Sequence, residues 1–240
     1  MQFTDDIDIY YDGTNVQKYC KLPFVSGVTT NTAFMKQSGD TNYSVFYAKH
    51  EDVLEGKPVS FQVFHDDEQR SYEDALAIAR IGPDTYVKVP VIKTTGEYNT
   101  GLIGRLIAEG IKTNVTVVYT KEQIDRVHDL VRTCDKNTMA TPVILSIFCG
   151  RISDTARDPA DIVRHATSLF ADLPSVKVLW AGCKEVLSIR HAIDTGCHII
   201  TVPDAIMDRI GRVGKDLGEM SLETVRSFHD DAVAASVSVV

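Results

Sequence analysis

Residues 84–92 read DTYVKVPVI. Tyr86, Val87, Val89, Val91 and Ile92 give this stretch the apolar content of a buried strand. Lys88 nevertheless stands in its middle, and Pro90 follows two places later. Lysine is among the residues least often buried, because desolvating an ammonium costs free energy. A core strand that carries one needs a carboxylate partner, an outward path for the side chain, or a use for the amine.

Seven similar runs flank it: DIDIYYD (6–12), FVSGVTT (24–30), PVSFQVF (58–64), KTNVTVVY (112–119), PVILSIF (142–148), VKVLWAG (176–182) and CHIITVP (197–203). Helical patterns fill the gaps. Tyr72, Ala75, Leu76 and Ala79 follow i, i+3, i+4, i+7 spacing. Ile124, Val127 and Val131 share a face, as do Ile162, Ala166, Leu169, Phe170 and Leu173. Thr120 and Gln123 fit a capping box, and Asp158-Pro159 places an N-cap before a proline at the first helical position. Gly110 and Gly196 read as helix stops before strands. Eight such units in 240 residues predict a (β/α)₈ TIM barrel, with a C-terminal helix over about 217–236. A doubly wound open sheet is the alternative; it would bring a Gly-rich phosphate loop, and no GxGxxG or GxxxxGK[ST] is present. Without a Pro/Ser/Gly-rich linker, residues 1–240 read as one domain.

The chain is 44% hydrophobic, with a formal net charge of -8. That balance argues against a nucleic-acid partner. The five cysteines form no CxxC, and the acidic N-terminus lacks a signal-peptide pattern, so a reducing, cytoplasmic location is expected. No apolar stretch approaches a membrane span. The seven histidines show no ligand spacing, and His65 beside Asp66 and Asp67 reads as a solvated turn, so no metal is expected. Cys149, Cys183 and Trp180 read as packing residues.

In a (β/α)₈ barrel the chemistry sits at the C-terminal ends of the strands. Asp12, Asn31, Gln62, Lys88, Asn114, Thr116, Arg151 and Lys184 collect there. Each has a plain structural explanation. Asp12 fits an N-cap for a helix starting near Thr14, Gln62 a backbone-satisfying amide, and Thr116 a β-branched strand residue. One polar residue from nearly every strand is harder to explain by packing. A desolvated Lys88 amine is neutral often enough to attack a carbonyl and form a Schiff base, whose protonated imine is an electron sink for carbon–carbon bond cleavage or formation.

Six segments in order, YYDGTN, GVTTN, YVKVPV, EGIKTNVTVVY, FCGRI and VLWAGCK, resemble successive motifs of the small transaldolases and fructose-6-phosphate aldolases. The resemblance implies that Lys88 is the Schiff-base lysine and that Asp12 assists proton transfer. It implies that Asn31 contacts the donor, and that Thr116 with the residue at 62 positions the catalytic water. Asn114 matches an asparagine of transaldolases, Arg151 the arginine that holds a terminal phosphate, and Lys184 a basic position beside it. Four positions depart from or divide the pattern. Thr32 replaces a proline, and Gly182 replaces a serine of the phosphate site. Gln62 is the aldolase subgroup's residue at the third strand, whereas Phe148 is the transaldolases' residue at the sixth.

The expected activity is transfer of a dihydroxyacetone unit from a ketose with an anionic terminus to an aldehyde acceptor. Fructose 6-phosphate and the sulfonate 6-deoxy-6-sulfofructose are the donors considered. Free aldol cleavage and a catalytically silent sugar-phosphate-binding barrel are the alternatives. No cofactor is expected, because the lysine is the electron sink. The resemblance also implies a ring-like homo-oligomer, a pentamer or decamer, with the terminal helix on a neighbouring subunit.

Overall fold

The computed structural model describes residues 6–134 and 141–238. Eight parallel strands close into a barrel in chain order. They are β1 Asp8–Asp12, β2 Val25–Thr29, β3 Val59–Gln62, β4 Thr85–Pro90, β5 Thr113–Val118, β6 Val143–Ile147, β7 Val176–Trp180 and β8 Ile199–Val202. Each lies inside one of the eight apolar runs. The helices are α1 Val16–Tyr19, α2 Thr32–Ser38, α3 Tyr43–Leu54, α4 Glu68–Ala79, α5 Thr100–Ala108, α6 Lys121–Cys134, α7 Cys149–Ser153, α8 Ala160–Leu169, α9 Leu187–Asp194, α10 Asp204–Met207 and α11 Leu217–Ala234. A TIM barrel is thus the fold. Contacts divide the chain into a barrel unit ending at Met207 and a C-terminal unit beginning at Asp208.

The barrel explains how a strand can bury a lysine. Side chains alternate faces along a strand. Val87 and Val89 lie on the outer face of β4, fully buried, and each contributes roughly 1.5–3 kcal/mol by leaving water. Tyr86 and Lys88 lie on the inner face. Tyr10, Ile144, Leu179 and Ile199 form an apolar layer inside the barrel, with Tyr86 packed against it. Two residues further along those strands come Asp12, Ser146, Ala181, Thr201 and Lys88, all of which border one cavity. The barrel lumen therefore changes from apolar to polar within one strand repeat, and Lys88 belongs to the polar end. Gly27 makes the lower layer possible: a Cβ there would lie 2.6 Å from the Tyr10 ring.

The local signals act as their chemistry dictates. Thr120 and Gln123 cap α6 reciprocally: Thr120 N–H donates to Gln123 Oε1 at 3.1 Å, and Gln123 N–H to Thr120 Oγ1 at 3.2 Å. Asp158 Oδ1 accepts from Ala160 N–H at 2.9 Å, but α8 starts at Ala160 with Pro159 in the N-cap position, one residue later than the expected cap and first helical residue. Gly110 and Gly196 take φ of 77° and 71°, the left-handed geometry of a helix stop. The α8 stripe is shifted from the expected one: Val163, Ala166 and Phe170 are buried, whereas Ile162 and Leu169 are only half-buried. In the C-terminal unit, Asp216 caps α11 by accepting from Glu219 N–H at 3.0 Å. No residue of α11 is buried, and Leu222, Val225 and Phe228 are 50%, 62% and 69% exposed. Among the described residues no helix is long and apolar enough to cross a membrane.

Candidate active site

Lys88 and Asp12 face a cavity of about 200 Å³ at the C-terminal ends of the strands. Lys88 is 7% exposed, and its Nζ donates to the Thr30 carbonyl at 3.3 Å. Burial pulls the amine below its ordinary pKa of 10.5, and the nearby Asp12 charge opposes that pull. Burial likewise raises the Asp12 carboxyl; the Lys88 charge and a hydrogen bond from Thr29 act against it. Thr29 Oγ1 donates to Asp12 Oδ1 at 2.7 Å. The two groups are thus driven toward their neutral forms, an amine able to attack and a carboxyl able to donate a proton. Asp12 does not cap α1. That helix starts at Val16, and its N-cap Asn15 makes no side-chain cap bond.

Asn31 also lines the cavity. Its Oδ1 caps α2 by accepting from Ala33 N–H at 2.9 Å and Phe34 N–H at 3.0 Å. Thr32, where the family pattern has proline, is the first residue of α2. Ser146 lines the cavity too and was not legible as a site residue. Its hydroxyl donates to Asn114 Oδ1 at 2.7 Å, and Asn114 Nδ2 donates to Ser60 Oγ at 3.0 Å. Asn114 is fully buried in that chain and stands beneath the cavity's lining rather than in it. Thr29, Phe34 and Thr201 are further lining residues that the strand runs did not single out.

Gln62 pairs with Lys88 in strand register but does not border this cavity. Its carbonyl accepts from the Tyr43 hydroxyl at 3.0 Å. Thr116 is fully buried, and its Oγ1 has no hydrogen-bond partner among the described residues. The β5–β6 ladder shifts between Val115 and Val118, and Val117 takes φ 63°. A β-branched residue rarely adopts that conformation. Such a bulge re-aims the side chains around it, here at Thr116.

Arg151, on α7, closes the other side of the cavity with Phe148 and Gly182. Its guanidinium carbon lies 5.7 Å from the Phe148 ring centre. Lys184 does not line the cavity; its Nζ is paired with Asp154 at 2.9 Å. A Cβ on Gly150 would collide with the Gly182 carbonyl oxygen. Gly182 itself takes φ 78°, a conformation that a serine would hold only under strain. His65, by contrast, is spent on Asp74, Nδ1 to Oδ2 at 2.7 Å.

Residues 3–238 match the family described as transaldolase/fructose-6-phosphate aldolase. The chain belongs to that family. A probable transaldolase of Desulforudis audaxviator is 28% identical over 233 residues, covering 94% of this chain and 97% of the relative. A probable transaldolase of Methanococcus maripaludis is 26% identical over 205 residues, covering 84% and 88%. Among solved structures, a variant tryptophan synthase α-subunit from Pyrococcus furiosus aligns with a TM-score of 0.55 at 14% identity, covering 92% of this chain and 96% of that one. The last likeness is one of fold alone. Family membership makes the chain an aldolase/transaldolase-type enzyme.

Proposed function

We propose that the enzyme transfers a dihydroxyacetone unit from a ketose with an anionic terminus to an aldehyde acceptor, through a Schiff base on Lys88. The observation that carries the reading is the buried Lys88 amine, depressed by desolvation and facing Asp12 in the cavity. The neutral amine adds to the donor C2 carbonyl, the Asp12 carboxyl gives its proton to the departing hydroxyl, and loss of water leaves a protonated imine facing the Asp12 carboxylate. The C3–C4 bond then breaks, its electron pair enters the imine to give an enamine, and Asp12 takes the proton of the C4 hydroxyl as the product aldehyde leaves. The enamine attacks the acceptor aldehyde, Asp12 returns the proton to its oxygen, and water hydrolyses the imine, the released proton going back to Asp12. The unpartnered Thr116 hydroxyl supports a water held there, since buried hydroxyls are satisfied by protein or by water.

Phe148 favours transfer over free cleavage, because a phenyl ring cannot shuttle a proton to the enamine. Borohydride with ketose donor is expected to fix a three-carbon adduct on Lys88, and donor turnover is expected to require an aldehyde acceptor. Absence of the adduct with fructose 6-phosphate, sedoheptulose 7-phosphate and 6-deoxy-6-sulfofructose alike would leave only the silent barrel. Release of free dihydroxyacetone as fast as transfer would assign the aldolase subclass instead.

Arg151 is the cation we assign to the donor's terminal anion. Charge-assisted hydrogen bonds contribute roughly 1.5–3 kcal/mol each. Arg151→Ala is therefore expected to raise KM for an anionic ketose by about ten- to a hundred-fold, with much less effect on fructose or dihydroxyacetone. Lys184→Ala is expected to cost less, because Lys184 is already held by Asp154. Equal losses on charged and uncharged donors would make Arg151 structural.

The exposed apolar residues of α11 support a homo-oligomer. Light scattering of the intact chain is expected to give several times the monomer mass, and substituting Leu222, Val225 and Phe228 with serine to reduce it. A monomeric parent protein would end that part of the proposal.

A further inference from the structure

The catalytic cavity is small. At about 200 Å³ it falls below the roughly 300–1,000 Å³ of ligand pockets in general. A three-carbon unit bound to Lys88 leaves little of it for the rest of a sugar. A larger groove, about 620 Å³, lies beside the C-terminal ends of β1 and β8. Phe34 borders both spaces. It is half-buried on α2, which follows the strand that ends at Thr29 and is capped by Asn31.

The groove's chemistry differs from that of the Arg151 side. Tyr11, Asn15, Gln37, Ser38 and Asp204 contribute to its wall. Asp204 holds the Tyr11 hydroxyl at 2.6 Å and accepts a short hydrogen bond from the Asn15 amide. The one lysine of the lining, Lys49, is paired with Asp40 at 3.8 Å. The lining thus offers carboxylate and amide acceptors together with hydroxyls, and its cation is already matched. That suits sugar hydroxyls, which donate to such acceptors, and disfavours a phosphate or sulfonate. In the closed strand order β6, which leads to Arg151, stands four strands from β2, which leads to Phe34.

From this juxtaposition we infer that Phe34 is a specificity-determining partition, and that the groove behind it takes the uncharged, hydroxyl-bearing chain of an aldehyde acceptor of four or more carbons. An anionic terminus is drawn to Arg151; a neutral polyol chain passes Phe34 instead. The inference rests on the transfer reading above.

The test compares unphosphorylated aldotetrose and aldopentose acceptors with glyceraldehyde 3-phosphate, using dihydroxyacetone as donor in every case. The readout is the ratio of kcat/KM values, neutral long acceptor to phosphorylated short one. Phe34→Ala is expected to move this ratio toward the neutral acceptors by about tenfold, the usual size of a pocket-wall effect, and Phe34→Leu by less. Asn15→Ala, which removes an amide from the groove wall, is expected to move it the other way by roughly fivefold. Ratios within twofold of the parent in all three variants would overturn the assignment of the groove. Borohydride trapping at Lys88 in the unaltered protein separates the two failures. An adduct with unmoved ratios sinks the groove alone, whereas no adduct sinks the transfer reading and the groove's role with it.

Discussion

Lys88→Ala is expected to abolish the borohydride adduct and to lower turnover by on the order of 10⁴-fold, the scale of losing a covalent route. Stability separates a catalytic lysine from a structural one. Removing one partner of a buried ion pair costs about 3–5 kcal/mol, because the other charge is left uncompensated. Lys88→Met, of similar length, removes a desolvated ammonium whose folded-state pKa already lies below 10.5. The unfolded chain therefore binds more protons than the folded one between that depressed value and 10.5. Parent stability should rise with pH through this window, and the methionine variant should lack the rise. Near neutral pH Lys88→Met is expected to be as stable as the parent, within about 1 kcal/mol. A much larger loss in denaturant unfolding would mark Lys88 as a structural ion-pair partner. Activity follows the same group: kcat/KM is expected to climb with pH as the amine deprotonates, well before an ordinary lysine would.

The strand runs were readable because a barrel strand is buried on both faces and needs no alternation to announce itself. The same property hid part of the cavity. In PVILSIF nothing in the run distinguishes Ser146 from a residue facing the helices. Its inward direction follows only from the register that sets Asn114 opposite Ile144, together with the inner layer to which Ile144 belongs. Lys88 was legible because a charge in an apolar run demands a reason; Ser146 and Thr29 demand none. The fate of Lys184 was equally invisible. Its pairing with Asp154 joins two loops that approach only once β6 and β7 lie side by side. The one-residue shift of the α8 stripe, from Ile162 to Val163, reflects where α8 presses on the sheet rather than any change of period. Gly182 shows the reverse case. Its departure from the family's serine reads as a lost anion contact, while its φ of 78° and the close approach of Gly150 give the glycine a backbone reason as well.

Asp12→Asn is the variant that divides the chemistry into its steps. The amide keeps the shape of the carboxylate and still accepts from Thr29, so the local packing survives. What it loses is the proton shuttle, a contribution of about 10²–10⁴ in rate for a positioned acid–base group. It also loses the charge that raises the Lys88 pKa. Lys88 should then be neutral to still lower pH, and its imine with dihydroxyacetone should still form, the proton now drawn from solvent. The expected result is a retained adduct with turnover lowered by about 10²–10⁴, and an acid limb of adduct formation displaced to lower pH. The stability change carries its own sign. The Asp12 carboxyl is raised above 3.8 by burial, so the folded parent holds that proton more firmly than the unfolded chain does. Parent stability from this group falls as pH rises from about 3.8 through the raised value. Asparagine removes the term, so the variant should gain on the parent over that interval. If adduct yield and melting temperature instead fall together, Asp12 holds the site's shape, and the proton transfers belong to another group.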